Sequence, residues 1–352
     1  MPQMKAVVLQ KPGPASSLTV VEVPVPELRP RDVLVRVDTC GVCFHDVVIR
    51  NGTMSRGVAW PLIPGHEVGG TVEALGPQAR EFKIGDRVAS VQSRHVCGTC
   101  KYCRTDRQGF CGDREVLGDA GLNGGYAEFV AIEEDNLARV PDGVSLEQAA
   151  ITGCVVGTEL NAIRDVAKVQ LGERVMITGA GGGVGIHGVQ LANAAGAHVI
   201  AVTTSPKKVD DLYAAGAHDV VCYNRGGDFS VGVRAVAHEG VDVAIDNVGS
   251  VAFNATRKSL ATGGRWILVG QLNGDFVSFN PAQMFHRGIS MLSARSTSRR
   301  QLVESLGLVQ RGQVKPVITG SLPLEKVSEA HKMLESGKVT GRIVLKMGSS
   351  GN

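Results

Sequence analysis

The sequence predicts an α/β protein of two domains, an all-β, barrel-like domain and a doubly wound parallel sheet. Three observations carry that prediction. Through the first 150 residues, short Val-rich runs alternate with glycines and prolines. From Arg174 onward, short apolar runs alternate with helical stretches. A glycine-rich loop follows the first of those later runs. At 352 residues the chain has room for about two domains. Its 43% hydrophobic and 20% charged residues can fill a sizeable core.

Taken in order, Val33-Leu34-Val35-Arg36-Val37 and Val68-Gly69-Gly70-Thr71-Val72-Glu73 read as strands, and Ile84-Gly85-Asp86-Arg87-Val88 as a turn feeding another. In the second region Val175 to Thr178 is a strand, followed by the glycine loop and a helix from about Val184 to Ala195. His198 to Thr203 is the next strand. Ser205-Pro206 opens a helix, serine as cap and proline in the first turn, and Gly216 closes it. Strands recur at Asp219 to Cys222, Val241 to Asp246, Arg265 to Val269 and Ile289 to Leu292. Such βαβ alternation argues for a parallel doubly wound sheet. The last stretch carries a helix from Gln301 to Gln310, the segment Leu322-Pro323-Leu324 before another helix, and a strand from Arg342 to Lys346. It is expected to return to the first domain. The predicted boundaries are 1–150 with 297–352 for one domain and 151–296 for the other. The Ser/Gly tail, Gly348 to Asn352, is expected to fray.

A net charge of +3, with basic residues scattered, does not point to nucleic acid or a membrane surface. Met1 to Lys5 runs into the strand-like Ala6-Val7-Val8-Leu9, without a charged n-region and apolar h-region. No apolar run approaches the roughly 20 residues that span a bilayer. A cytoplasmic protein acting on a small molecule is expected. The eight cysteines therefore read as metal ligands or thiols rather than disulfides.

Four of them, Cys97, Cys100, Cys103 and Cys111, follow a C-x2-C-x2-C-x7-C spacing. Closely spaced thiolates on one loop can close a tetrahedron around a structural zinc. An iron–sulfur cluster is the rival, but a proline after the last cysteine is missing and no electron-transfer context accompanies it. Cys43, His66 and Cys154 are far apart in sequence; together they would make a Cys2His set with an open fourth position. Spacing alone does not bring them together.

Thr178-Gly179-Ala180-Gly181-Gly182-Gly183-Val184-Gly185 lies between a strand and a helix. Small residues there let the backbone approach a pyrophosphate, and the helix N-terminus faces its charge. The second strand ends Val202-Thr203-Thr204-Ser205-Pro206-Lys207-Lys208 without the acid that accepts ribose hydroxyls in NAD enzymes. The hydroxyls of Thr203, Thr204 and Ser205 and the two lysines, Lys207 and Lys208, are expected to take the 2′-phosphate of NADP(H), in preference to NAD(H).

The motifs Gly41-Val42-Cys43-x-x-Asp46, Gly65-His66-Glu67, the four-cysteine cluster, Gly153-Cys154-Val155-Val156-Gly157-Thr158 and the glycine loop occur in this order. In this the chain resembles the zinc-containing alcohol dehydrogenases of the medium-chain dehydrogenase/reductase superfamily, from Met4 to about Met347. The resemblance implies a GroES-like β-barrel catalytic domain and a Rossmann cofactor domain. It implies a catalytic zinc on Cys43, His66 and Cys154, with Glu67 beside it as alternate ligand or water organiser, and a structural zinc on Cys97, Cys100, Cys103 and Cys111, hence two per chain. Asp46 would hold the far nitrogen of His66. Gly179, Gly181, Gly182, Gly183 and Val184 would meet the pyrophosphate. Thr158, Val248, Val269 and Gly270 would line the nicotinamide, and Arg342 would reach the pyrophosphate. A homo-oligomer, dimer or tetramer, is implied as well.

Two positions depart from the family. His45 stands where a Ser or Thr often begins a proton relay, and Val48 where a histidine often ends it. His45 either takes the proton itself or is a packed histidine without catalytic duty. Cys40 and Cys222 are expected to be buried small hydrophobes. Val58, Ala59 and Trp60 are either substrate-facing or plain core. The expected activity is zinc-dependent hydride transfer between NADP(H) and an alcohol/aldehyde or ketone. The alternative is NADPH-dependent reduction of an activated C=C bond of enoyl-thioester or quinone type. A non-catalytic nucleotide-binding protein would show degraded zinc ligands, and these are intact.

Overall fold

The central element of the N-terminal half is the strand Asp32–Val42, whose residues Val33, Val35 and Val37 are buried. A computed structural model describes residues 2–348; of the tail expected to fray, residues 349–352 lie outside them. The chain divides into two units. The first runs to Gly157 and adds Ser296–Gly312 and the residues from Ile318 on; the second is Thr158–Arg295 with Gln313–Val317. The division falls at Gly157, not at residue 150, and Gln313–Val317 groups with the second unit.

In the first unit, the strand order of the main sheet is Ile318–Pro323, Arg342–Lys346, Asp32–Val42, Val68–Leu75, Arg87–Ser90 and Leu137–Arg139, with Phe129–Glu133 also paired to Asp32–Val42. Pairing is antiparallel except between the first two strands. Register is what matters for function. Ile343 faces Val42, and Cys40 faces Val68. The residues just beyond these pairs, Arg342, Cys43 and Glu67, are thereby brought to one end of the sheet. The core beneath is aliphatic, with Val7, Leu9, Val33, Val35, Val72, Ile132 and Leu345 buried together.

The second unit is a six-stranded parallel sheet in the order Asp219–Cys222, His198–Thr203, Arg174–Thr178, Val241–Asp246, Leu260–Leu268, Ser290–Ser293. Its first strand is third in the row, so the order reverses between Arg174–Thr178 and Val241–Asp246, the crevice where doubly wound sheets bind nucleotides. The strands are near-continuous apolar runs, as burial on both faces demands. Val199, Ile200, Ala201 and Val202 are all fully buried.

Local departures from the sequence reading have simple causes. Ser205 precedes a 3-10 turn, Pro206–Lys208, that leads into the helix Val209–Ala214, and its side chain makes no cap hydrogen bond. Ser298, which the periodicity did not single out, caps Arg299–Gln310 with a full capping box to Gln301. Cys222 lies in a strand, but its side chain is exposed because that strand is the sheet's edge; Cys40 is fully buried. No helix among the described residues is long and apolar enough to cross a membrane.

Candidate active site

Cys43 ends the central strand and caps the helix Phe44–Arg50. Its N–H donates to Asp46 Oδ2 at 2.9 Å, and its sulfur accepts from the His45 N–H at 3.5 Å. The same Asp46 turns its other oxygen to His66 Nδ1 at 3.2 Å. That contact leaves His66 Nε2 as the imidazole's free lone pair. Cys154, from the helix Leu146–Leu160, completes the group. Ligand atoms of Cys43, His66, Glu67 and Cys154 all lie within 4.8 Å of one another, and all four residues are buried. Two sulfurs, one imidazole nitrogen and one carboxylate, so gathered, fit a zinc ion.

Arg342 sits in this cluster. Its guanidinium donates to Glu67 Oε1 at 2.7 Å, to Cys43 Sγ at 3.2 Å and to Cys154 Sγ at 3.5 Å. The side chain is 3% exposed. These contacts, to the thiols and Glu67, follow from the register that sets Ile343 opposite Val42. The electrostatics follow. The Cys43 thiol is driven well down by a hydrogen bond from Cys154, against burial, with Arg342 and His66 adding to the effect. The Cys154 thiol moves up, because it donates that bond and is buried. Burial raises the Glu67 carboxyl, while Arg342 pulls it down.

His45 is half-buried, and its Nε2 lies 3.2 Å from Asp119 Oδ1. Its ring meets the His66 ring edge-on at 5.2 Å between centroids. The backbone of Ala59 donates to Asp119 at 3.1 Å, so the segment around Trp60 runs beside His45's partner. Val58 and Trp60 pack against the core. Val48 is buried. Asp119 was missed from the sequence, where nothing marks an acid in a glycine-rich turn as a histidine's partner.

The four-cysteine cluster is also assembled. Its ligand atoms lie within 4.8 Å of one another. The sulfurs of Cys97 and Cys111 are 3.5 Å apart, and those of Cys97 and Cys103 are 3.9 Å apart. A tetrahedron with Zn–S near 2.3 Å has edges of about 3.8 Å, so the donor set fits zinc. Backbone N–H groups of Cys100 and Thr99 pull the Cys97 thiol down to about 6.

In the second unit the glycine loop follows the strand Arg174–Thr178 and opens the helix Gly185–Ala194. A Cβ on Gly185 would come within 2.5 Å of the Gly179 carbonyl oxygen, so the turn tolerates only glycine there. Gly181, Gly182, Gly183 and Val184 form the rest of the loop. Lys208 packs against the glycine loop. It is buried, and its Nζ donates to the Gly181 carbonyl at 3.0 Å. Burial lowers its ammonium. Lys207, Thr204 and, in part, Ser205 remain accessible, while Thr203 is buried and accepts from the Ser205 N–H at 3.2 Å. A cleft of about 340 Å³ includes Val269 and Gly270 among its walls, with Gly249, Phe253 and Leu268; Val248 and Thr158 are buried. Sequence reasoning missed Asp246. This buried acid accepts from the N–H groups of Val248 and Gly249, from Thr178 and from Trp266, and so fixes the crevice floor.

Comparison with known proteins agrees with this architecture. The alcohol dehydrogenase GroES-like domain family matches residues 29–142, and the zinc-binding dehydrogenase family matches residues 215–345. The chain is 33% identical to an acryloyl-coenzyme A reductase of Sulfurisphaera tokodaii, over 97% of this chain and all of that one. It is 32% identical to an NAD-dependent alcohol dehydrogenase of Sulfolobus acidocaldarius, over 98% of this chain and all of that one. The crystal structure of AibC superposes with a TM-score of 0.90 at 42% identity, covering 99% of this chain and 96% of that one. The chain belongs to the zinc-containing alcohol dehydrogenase family of the medium-chain dehydrogenase/reductase superfamily. It is an oxidoreductase, with a GroES-like catalytic domain and a Rossmann cofactor domain.

Proposed function

We propose that the enzyme transfers a hydride between NADP(H) and an alcohol/aldehyde or ketone, with two zinc ions per chain. The observation that carries this reading is the convergence of Cys43, His66, Glu67 and Cys154 ligand atoms within 4.8 Å. Cys43, His66 and Cys154 would hold the catalytic zinc, and Cys97, Cys100, Cys103 and Cys111 the structural one. When bound, zinc supplies Lewis acidity toward a substrate oxygen, and the nicotinamide supplies or accepts the hydride. The chain's own residues do the rest. Asp46 orients His66. Arg342 offsets the negative charge that two thiolates and Glu67 would otherwise leave on a dication. The glycine loop and helix N-terminus support the pyrophosphate. Thr158, Val248, Val269 and Gly270 would border the nicotinamide. The strand end at Thr203, Thr204 and Ser205, lacking an acid, admits a 2′-phosphate, with exposed Lys207 as its nearest cation in sequence.

The test is metal analysis joined to turnover. Two zinc ions per chain and NADP(H)-linked turnover are expected in the wild type, and one zinc ion with turnover lost in Cys43→Ser. Undiminished turnover by a Cys43→Ser variant lacking that zinc sinks the reading.

A second reading, NADPH-dependent reduction of an activated C=C bond, is favoured by the His45–Asp119 pair at 3.2 Å. A histidine held by a carboxylate can deliver the proton that such a reduction needs after hydride addition. Assay of an aldehyde against an enoyl thioester under NADPH separates the two. His45→Ala should impair the enoyl reaction more than the aldehyde one.

We further propose a cytoplasmic homo-oligomer, dimer or tetramer. All eight cysteines are free thiols, as a reducing compartment maintains. The edge strand Ser290–Ser293 carries an exposed Leu292, and Phe276 and Phe285, shortly before it in sequence, are exposed too. Light scattering of the wild type and of Leu292→Lys tests the oligomer.

A further inference from the structure

The Asp46 carboxylate is held from a side that the reaction does not use. Tyr126 donates its hydroxyl hydrogen to Asp46 Oδ2 at 3.1 Å. The Tyr126 oxygen in turn lies 3.3 Å from His331 Nε2. Since the hydroxyl hydrogen is committed to Asp46, the oxygen must accept, and His331 must carry its proton on Nε2. His331 Nδ1 has no partner among the described residues, as suits a bare lone pair rather than a stranded N–H. Burial pushes His331 down to about 4, so the ring is neutral at physiological pH. Tyr126, His331 and Asp46 are all buried. The hydrogens therefore point one way, from His331 through Tyr126 to Asp46 Oδ2, while His66 Nδ1 meets the other oxygen, Oδ1, of the same carboxylate.

The fold makes room for this chain. Gly65, directly before His66, has φ +96°, and a Cβ there would come within 2.5 Å of the Tyr126 ring. The Tyr126 backbone is fixed on both sides, its N–H donating to the Pro64 carbonyl at 2.9 Å and its own carbonyl accepting from the Val7 N–H at 2.8 Å. His331 comes from the helix Val327–Glu335, more than two hundred residues away in sequence.

We propose that Tyr126 and His331 are positioning residues of the metal centre, acting through Asp46 to hold His66 in its metal-binding orientation. The inference rests on the reading of Cys43, His66 and Cys154 as zinc ligands. Losing a hydrogen-bond partner behind a metal ligand commonly costs about 10–100-fold in metal affinity; one step further back, the low end of that range applies.

The experiment is zinc release from the purified holoenzyme into a colorimetric chelator, followed in time. Wild type should show two phases, one of which is absent in Cys43→Ser and so belongs to the catalytic site. Tyr126→Phe keeps the ring and removes only the hydroxyl. It should accelerate that phase about tenfold and leave the four-cysteine phase unchanged. His331→Leu should accelerate it by a smaller factor, and His331→Gln, which keeps a donor, should restore the wild-type rate. An unchanged catalytic-site phase in Tyr126→Phe overturns the proposal. So does equal acceleration of both phases, which would mean general loosening. A His331→Leu variant that matches wild type removes His331 from the chain. If Cys43→Ser retains both phases, the zinc-ligand reading itself has failed, and the result is distinct from failure of the positioning role.

Discussion

Each unit buries a glutamate, and the two are treated differently. Glu67, in the first unit, is pinned by Arg342 at 2.7 Å. Glu159, in the second, is fully buried; among the described residues its carboxyl meets the Asn247 amide, at 2.9 Å, and its second oxygen has no partner. An acid that must stay charged beside a cation is given a counter-charge. An acid given a single amide is cheaper to keep as the neutral carboxylic acid. Accordingly burial pushes Glu159 up to about 8. The contrast extends to the sites themselves: the first unit presents side-chain donors in a charged cluster, and the second presents backbone in a glycine turn. One breaks when a side chain is deleted, the other when one is added.

The largest effect is expected at Arg342. Removing one partner of a buried ion pair commonly costs about 3–5 kcal/mol, so Arg342→Gln should lower stability by that order in thermal or urea unfolding. The double variant Arg342→Gln with Glu67→Gln should recover part of the loss. If the double variant is no more stable than the single one, Arg342 is not serving Glu67.

Glu159→Gln should act in the opposite direction, increasingly as pH rises. The native state holds a proton that the unfolded chain releases above its ordinary value of 4.5. Stability therefore falls as pH rises from there to about 8, by up to roughly 1.4 kcal/mol per pH unit, and then levels off. Glutamine has no such proton to lose. The two proteins should match near pH 5, and the variant should lead by a few kcal/mol, roughly two pH units' worth or more, above pH 8. Melting curves that stay parallel across this range would contradict the neutral-acid assignment.

How much of this was legible in sequence depends on how far apart the partners lie. The four-cysteine cluster sits within one loop, so its spacing alone suggested the site. The βαβ alternation and the glycine loop were likewise local, and the strands His198–Thr203, Asp219–Cys222, Val241–Asp246 and Arg342–Lys346 fall where the apolar runs place them. Cys43, His66 and Cys154 carry no common signal of their own; only the order of several motifs suggested that they meet. The contacts of Arg342 to Glu67 and the thiols were not legible, because they depend on strand register, Ile343 opposite Val42, which periodicity does not give. Asp119, Tyr126, His331 and Glu159 were not visible as functional residues. Each acts through a partner on another element, and a lone polar residue in an apolar run reads as incidental.

Backbone sites are tested by addition. Gly185→Ala would place a methyl within 2.5 Å of the Gly179 carbonyl oxygen and 2.8 Å of Ala180 Cα. Overpacking of this kind costs about 1–3 kcal/mol. Because the strain falls on the pyrophosphate turn, it should appear as a five- to hundredfold rise in the cofactor KM, roughly the same energy, with zinc content unchanged. A rise in cofactor KM accompanied by zinc loss would mean that the two sites are not independently built, and the comparison between them would fail.

The smallest effect sharpens the second unit alone. Thr203 ends the strand His198–Thr203, and its hydroxyl accepts the Ser205 N–H at 3.2 Å. An aspartate there can accept the same N–H, so the local turn should survive Thr203→Asp. It would also place a carboxylate where an NAD enzyme accepts ribose hydroxyls, and where a 2′-phosphate would meet like charge. One such charge contact is worth about 1 kcal/mol at the dielectric of water. The ratio of kcat/KM for NADPH over NADH should therefore fall by roughly fivefold to tenfold. Lys208 is not expected to offset it, since its ammonium is engaged by the Gly181 carbonyl; Lys207→Ala in the same background should lower the ratio further. If Thr203→Asp leaves the ratio unchanged, the strand end does not face the ribose, and the proposed NADP(H) preference loses its basis there.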